Sequence, residues 1–293
     1  FEKFRKFLFS HACIEYIHLF ESRNKVFDKE SVLQETMIVK FKKNTRFPSC
    51  ITISTSATNK DFSDLHKLDV PYQVVVSDNH YYVHLVTDEE EVKSLQSINH
   101  FKNTLVDLGL KMKTGLVVDF RSRELLRDSE DDSTIPLIYS MHIKDGRVRF
   151  PQGKEKEYIV KDRKGLMQEN RNYLFVKRFT AKEERRRLQC GIYLKRYLSS
   201  FTYISSQNKV NFIDGLQGLS ECVVYGLYVI FNSTLYDVYY RILNGSTQVN
   251  STEINAMPVP DMSVIEAMGK QLIAAKNLSV EQCNNILNHY VNG

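Results

Sequence analysis

Between Leu116 and Ile213 no apolar stretch is long enough, or periodic enough, to make a core helix. Instead short apolar runs recur: Leu116–Phe120, Ile135–Met141, Val148–Phe150, Tyr173–Val176, Ile192–Leu194, Tyr203–Ile204 and Val210–Ile213. Loops carrying Lys, Arg, Gly and Pro separate them. Short runs bounded by turn residues suit strands, and strands spaced this closely pair into compact sheets. The segment is therefore expected to fold as a β-rich domain with a positively charged surface.

The charge supports that reading. The 293-residue chain carries a net +5, but residues 111–210 hold 23 Lys/Arg against 13 Asp/Glu. Residues 1–110 hold 14 against 15, and residues 211–293 hold 3 against 7. A basic excess confined to one segment fits a polyphosphate partner, because each neutralised phosphate releases counterions. A solvated basic face with no partner would look the same from charge alone.

The flanks read differently. Phe1–Ser10 is a short amphipathic segment, expected to close a helix. Ile14–Phe20, Thr36–Phe41 and Cys50–Thr55 are strands with little alternation, as in a sheet buried on both faces. Thr58–Asp69 is polar and reads as a linker or extended loop. Gln73–Val76 and Tyr81–Val86 suggest a hairpin around Asp78-Asn79. Thr87 with Glu90 three residues on makes a capping box for a helix carrying Leu95, Ile98, Leu105 and Leu108, with Gly109 as its stop. That helix is the candidate bridge between domains. Ser220–Arg241 reads as partly helical, with Val224, Leu227, Ile230 and Phe231, then Leu235 and Val238, at three-to-four spacing. Beyond Pro258 and Pro260 a final helical pair follows, the second opened by Ser279 with Gln282 three residues on.

Several classes drop out. No apolar run approaches the ~18 residues of a membrane span, and no signal peptide is evident. The five cysteines, Cys13, Cys50, Cys190, Cys222 and Cys283, form no CxxC pair and read as free thiols of a reducing cytoplasm. The histidines do not pair at metal spacing, and His18 and His142 read as satisfied core residues. No GxSxG or Walker pattern occurs, and no acidic pair precedes a Glu-x-Lys at strand spacing.

Four segments in order carry a resemblance. They are Ser31–Lys40 with Ser22–Phe27 before it, then Lys113–Arg123, then Ile135–Pro151, then Gly226–Pro260. Each resembles the matching part of adenine-N6 DNA methyltransferases of restriction–modification systems, the Eco57I-like group with its BsuBI/PstI-type relatives. The fourth also resembles recognition domains of type I specificity subunits. The resemblance implies a Rossmann-like domain binding S-adenosyl-L-methionine, then a catalytic tetrapeptide Asp/Asn/Ser-Pro-Pro-Tyr/Phe/Trp, then a target-recognition domain. It implies methyl transfer to N6 of an adenine turned out of the duplex. In this chain the six prolines, Pro48, Pro71, Pro136, Pro151, Pro258 and Pro260, are never adjacent, and no two glycines are spaced as GxG. The expectation is thus a piece that starts just downstream of the catalytic loop, inactive alone and binding no cofactor itself.

The expected fold class is α+β: the last strands of a Rossmann-like methyltransferase sheet, then a mixed, β-rich recognition domain with C-terminal helices. Residues 1–57 would be the catalytic strands, 58–110 a connecting hairpin and bridge helix, and 111–293 the recognition domain. The expected partners are double-stranded DNA and the N-terminal catalytic portion of the same protein, in a cytoplasmic setting. The alternative is a stand-alone specificity subunit that recruits a separate methyltransferase.

Candidate residues follow. By resemblance Phe27 stands where relatives place a residue against the flipped base; packing beside Val26 and Val32 is the alternative. Arg121 and Arg123 in an extended segment could share a face and track phosphates, or pair with Asp119 and Glu124. Lys144, Arg147 and Arg149 flank the Asp145-Gly146 turn and would place cations on a hairpin tip. Lys177 and Arg178 end an apolar strand. Arg185-Arg186-Arg187 reads as a charged helix face. Arg241, Asn244, Ser246 and Gln248 lie in a loop of residue types that read guanine and adenine, with Gly245 permitting close backbone approach. Because relatives reading different sites share this loop, a structural turn tying a helix to the Pro258 segment is the favoured role.

Overall fold

The computed structural model describes residues 2–22, 25–27, 34–43, 46–63, 65–77, 81–181, 183–244 and 246–291. They form a mixed α+β chain of two compact units, residues 1–97 and 98–293. Among them no helix is long and apolar enough to cross a membrane.

The first unit holds α1 (Glu2–His11), β1 (Cys13–Phe20), β2 (Thr36–Lys42), β3 (Cys50–Ser56), β4 (His66–Pro71), the single turn α2 (Tyr72–Val75) and most of α3 (Glu89–Asn99). Its sheet runs β2-β1-β3-β4. β1 and β3 are parallel, and the other two pairings are antiparallel. Ile17, Ile51 and Ile53 are buried at its centre. The edge strand β2 instead exposes Met37, Ile38 and Phe41. His18 is a satisfied core histidine, with Nδ1 2.7 Å from Ser54 Oγ and Nε2 3.1 Å from Ser56 Oγ.

Three local expectations change. The polar stretch before residue 70 contains strand β4, because an edge strand tolerates polar side chains that water can reach. There Thr52 Oγ1 donates to Asp69 Oδ1 across the pair at 2.6 Å. Residues 72–75 are helical, and among the described residues of this segment only Val76 bridges Val83; the Asp78-Asn79 turn lies outside the described residues. α3 is capped one residue later than the sequence suggested: Asp88 Oδ1 accepts the Glu91 amide at 2.8 Å, and Glu91 Oε2 accepts the Thr87 amide at 2.6 Å. It also stops at Asn99 rather than near Gly109. Asn103 and Thr104 are drawn into a β-pair, and Asp107 Oδ2 accepts from both the amide and the hydroxyl of Thr104, tightening a turn.

The second unit contains β5 (Asn103–Thr104), β6 (Leu110–Thr114), β7 (Leu126–Arg127), β8 (Thr134–Ile138), β9 (Ile143–Lys144), β10 (Arg147–Val148), β11 (Tyr158–Val160) and β12 (Gln168–Glu169). It continues with β13 (Tyr173–Lys177), β14 (Cys190–Tyr193), β15 (Tyr203–Ser206), β16 (Val210–Gly215), α4 (Glu221–Asn232), α5 (Thr234–Leu243), α6 (Ser251–Ala256), β17 (Pro258–Val259), α7 (Met262–Ala275) and α8 (Val280–Val291). A six-stranded sheet runs β6-β16-β13-β14-β10-β9, and a five-stranded one β12-β15-β8-β11-β7.

Strand alternation builds the layers. Along β13, Tyr173 and Phe175 enter an aromatic core with Tyr193 and Phe212. Leu174 and Val176 alternate with them and are equally buried, and α4 packs over β13 and β14. Along β8, Ile138 joins that aromatic core, while Ile135 and Leu137 join a second core with Val117, Tyr139 and Ile159. Both central strands are thus apolar on both faces, which is why their sequence does not alternate. α4 is buried along nearly its whole length, as an all-round apolar helix must be. Ser220 Oγ caps it by accepting the Val223 amide at 3.2 Å, and Ser233 ends it and caps α5.

α4 and α7 cross at two glycines. A Cβ on Gly226 would lie 1.9 Å from Ile265 O, and one on Gly269 would lie 1.8 Å from Cys222 O. The helices touch backbone to backbone, leaving no room for a side chain. Replacing Gly269 by Val should therefore overpack the crossing and cost about 1–3 kcal/mol or more, read as a lower Tm with the six-stranded sheet retained by circular dichroism. A smaller loss for Gly165→Ala would contrast it, since that Cβ meets nothing within 4 Å and the backbone there is not left-handed.

His142 is fully buried in the second unit, again as a satisfied core residue. Its Nδ1 accepts the Tyr139 amide at 3.0 Å, so the proton sits on Nε2, which donates to Glu157 Oε1 at 2.6 Å. Burial pushes the imidazole pKa down and keeps it neutral. Burial would raise Glu157, but the His142 hydrogen bond and the Gln152 and Gly153 amides hold it below its usual range. Both groups bind protons more readily once unfolded. Stability should be complete above about pH 6.5, decline as His142 protonates on unfolding, and decline again below about pH 4.5. Tm measured against pH should show this loss on the acid side, with a shallower step near pH 6.5 in His142→Gln.

Candidate nucleic-acid interface

The cations singled out in the sequence fall into separate places. Asp145 and Gly146 both have positive φ, 49° and 73°, and form the two-residue turn between β9 and β10. The hairpin is real, but its tip is not a free probe. A Cβ on Gly146 would meet the Tyr228 hydroxyl at 2.3 Å, so the turn rests on α4. Arg147 Nη1 donates to Tyr197 and Tyr225 hydroxyls at 2.8 and 3.2 Å. Exposed Lys144 reaches Gln152 Oε1 at 2.7 Å, and exposed Arg149 pairs with Asp145 at 3.1 Å.

The arginine triplet is not on a helix. Residues 183–189 are irregular, and Arg187 is completely buried. Its Nη1 donates to Asn244 O at 3.2 Å, Nη2 to Ser246 O at 2.6 Å and Nε to Thr180 Oγ1 at 3.3 Å. The guanidinium lies 5.5 Å from the Tyr240 ring centre. The amides of Arg187 and Leu188 both donate to Asp237 Oδ1 at 2.8 Å, and Arg241 Nε donates to Asp237 Oδ2 at 3.0 Å. Arg241 Nη2 donates to Glu184 O at 2.7 Å.

The loop after α5 is knitted onto this centre. Asn244 is buried, its Oδ1 accepting the Ser246 amide at 2.7 Å and its Nδ2 donating to Glu253. Ser246 Oγ donates to Gln248 O at 3.2 Å, and Tyr240 OH donates to the same carbonyl at 3.2 Å. Asn211 Nδ2 donates to Val249 O at 2.7 Å. Gly245 lies outside the described residues. Asn244 thus holds the loop to Glu253 of α6, Ser246 O to Arg187 and Val249 O to β16, while Arg241 ties α5 to the Glu184 segment.

A different set converges at one end of the six-stranded sheet. β6 and β13 finish there and β16 begins, with Thr114 opposite Asn211 and Lys177 opposite Val210. The segment Gln207–Lys209 is the hub. Gln207 Nε2 donates to Asp119 Oδ2 at 2.6 Å, and the Asn208 amide donates to Val117 O at 2.8 Å. The Arg178 amide donates to Lys209 O at 3.0 Å, its Nη1 to Asn208 O at 3.0 Å and its Nη2 to Gln248 Oε1 at 3.2 Å. Phe179 pairs with Gln248 in an isolated bridge.

Here the expected extended run through Arg123 is replaced by two 3-10 turns, Asp119–Arg121 and Arg123–Leu125. The capture of Asp119 by Gln207 accompanies the bend, so Arg121 and Arg123 do not share a strand face. Phe120 is thrown outward, 65% exposed, with the Arg121 guanidinium 5.4 Å from its ring centre. Phe179 is 45% exposed, with the Arg178 guanidinium at 5.6 Å. Lys209 is exposed and Lys177 half-buried beside them in sequence and sheet. In the first unit, Phe27 is 42% exposed after β1, and Asn59 Nδ2 donates to the neighbouring Val26 O at 3.2 Å. Val32 lies outside the described residues.

No family model matches the sequence. Two curated proteins do. The chain is 34% identical over 279 residues to the type II methyltransferase M.BsuBI of Bacillus subtilis, covering 93% of this chain and 55% of that protein. It is 32% identical over 279 residues to the type II methyltransferase M.PstI of Providencia stuartii, with the same coverages. The chain is a homologue of these type II methyltransferases. It spans about half the length of the curated relatives it matches. Among solved structures, the type IIL restriction-modification enzyme MmeI, in complex with DNA, aligns at a TM-score of 0.50 and 10% identity, over 95% of this chain and 43% of that one. The type IIG restriction endonuclease BpuSI aligns at 0.46 and 12% identity, over 94% and 40%. At such identities the MmeI likeness speaks to fold alone.

The sequence pattern does not mark the burial of Arg187 or the exposure of Phe120 and Phe179. The first has no signal in a triple-arginine run. The second leaves a faint one, an aromatic directly beside an arginine at both positions. Removing the buried guanidinium in Arg187→Met should leave the Asn244 and Ser246 carbonyls without their donor and cost about 1–3 kcal/mol or more, read by urea unfolding, whereas Arg185→Met at an exposed neighbour should change stability by less than about 0.5 kcal/mol.

Proposed function

We propose that this chain recognises the DNA target for a site-specific adenine-N6 methyltransferase of a restriction–modification system. The observation that carries the reading is the homology to two type II methyltransferases along 93% of the chain. Its residues include neither an adjacent proline pair nor a GxG turn. The groups that would hold S-adenosyl-L-methionine in such an enzyme are therefore not offered by this sequence, and no transfer step is assigned to it. The parent enzyme would supply cofactor binding and chemistry from its N-terminal catalytic portion.

On this reading the four-stranded sheet of the first unit is the end of a Rossmann-like catalytic sheet. The apolar edge strand β2 supports it, because exposed Met37, Ile38 and Phe41 suit a neighbouring layer better than water. Phe27 would approach the turned-out base. The second unit would be the recognition domain, working on double-stranded DNA in the cytoplasm. Arg121, Arg123, Lys177, Arg178 and Gln248, with Lys144 and Arg149 on the hairpin, would be the groups that touch DNA. Arg147, Arg241, Asn244 and Ser246 serve that surface indirectly, by holding its scaffold.

The chain alone should bind duplex DNA, with log affinity falling linearly against log salt between about 50 and 200 mM. Incubated with radiolabelled S-adenosyl-L-methionine and duplex DNA, it should transfer no methyl groups. Salt-independent or undetectable binding would overturn the DNA-recognition reading. Methyl transfer by the chain alone would overturn the division between recognition and chemistry.

A further inference from the structure

We propose that Phe120 and Phe179 are apolar probes that stack against bases of the bound duplex, on a mount whose cations hold the phosphates. The proposal rests on the DNA-recognition reading and adds to it the surface and the kind of contact.

Single exposed apolar side chains are ordinary on a protein surface. These two share a setting; exposed Tyr197 also has a guanidinium beside it, Arg196 at 5.9 Å, but that arginine is paired with Glu221. Each is a phenyl ring with a guanidinium from the adjacent residue close to it, at 5.4 Å for Arg121 and 5.6 Å for Arg178. Both are carried by segments bonded to the same short hub, Gln207–Lys209, so both belong to one end of the six-stranded sheet. The cations beside them in sequence or in the sheet are Arg121, Lys177, Arg178 and Lys209. Two carboxylates nearby are engaged within the protein: Asp119 has an oxygen held by Gln207, and Glu184 accepts the Ala181 amide at 2.7 Å. An apolar ring with a guanidinium beside it suits a ligand with flat apolar faces joined by phosphates, and nucleic acid is that ligand.

The mount is also rigid. The backbone of Arg178 is held by Lys209 O and by the Val249 amide, which donates to Arg178 O at 2.7 Å. Its guanidinium is fixed on Asn208 O and Gln248 Oε1. Ser122, directly after Arg121, is buried and anchors the 3-10 turn that presents Phe120. A ring held this way loses little conformational freedom on binding, which raises the return from stacking. The hairpin of Lys144 and Arg149 is held as firmly, with its Arg147 tied to tyrosine hydroxyls, but among the described residues it carries no exposed phenylalanine with a guanidinium beside it.

The test uses the 293-residue chain and a random-sequence duplex pool with thymine replaced by 5-bromouracil. After irradiation, adducts are mapped by peptide mass spectrometry, and affinity is measured against salt. Adducts should fall on the peptides carrying Phe120 and Phe179. The double variant Phe120→Ala/Phe179→Ala should bind about tenfold more weakly or worse, with an unchanged salt slope, because a stacking contact releases no counterions. Arg178→Ala and Lys209→Ala should instead reduce the slope. Salt-dependent binding with adducts elsewhere, for example at Tyr197, and an unaffected double variant would overturn the proposal while leaving DNA recognition standing. A chain that binds no duplex at all would overturn both. Because both rings are exposed, the double variant should keep the wild-type Tm.

Discussion

A guanidinium sealed from water organises the second unit. A buried charge is tolerated only when its donors are satisfied, and Arg187 satisfies them on Thr180, Asn244 and Ser246. Those acceptors come from the segment after β13 and from the loop after α5. Asp237 on α5 then holds the Arg187 and Leu188 amides just before β14. One side chain and one carboxylate thus fix how the helical layer meets the sheet. The position of Val249, and through it of Arg178 and Asn211, depends on that loop being in place.

This arrangement divides the basic segment by role. Its net positive charge is not a uniform coat. Arg147 and Arg187 lie inside the protein network, and Arg196 forms a two-pronged pair with Glu221 at 2.5 and 2.7 Å. The cations left facing outward near the Gln207–Lys209 hub sit where β6, β13 and β16 meet. A rigid sheet end carrying short irregular segments is a good support for a binding surface, since the sheet supplies precision and the segments supply chemistry.

Much of the fold was legible because strand interiors are locally apolar. Tyr173–Val176 and Val210–Ile213 were read within a residue or two of β13 and β16. So was the serine cap at Ser279, whose hydroxyl accepts the Gln282 amide. The Asp145-Gly146 turn was legible from residue type alone. What failed depended on distant partners. β4 is polar because it is an edge, and no local pattern marks it. β7 and β12 are two residues each and exist through pairing alone. The bend at Asp119 accompanies a bond to Gln207, far along the chain, and that bond cannot be read from Leu116–Arg123. For the same reason the candidate surface was half legible: Arg121, Lys177, Arg178 and Gln248 were named, but their meeting place and the two phenylalanines were not.

The central claim is that the end of the six-stranded sheet around Gln207–Lys209 is where this chain meets DNA. Hydrogen–deuterium exchange with and without duplex DNA tests it most directly. Protection should appear together in residues 117–123, 177–180 and 207–210, and should fade as salt is raised. Protection confined to the β9–β10 hairpin, or to the four-stranded sheet of the first unit, would contradict it.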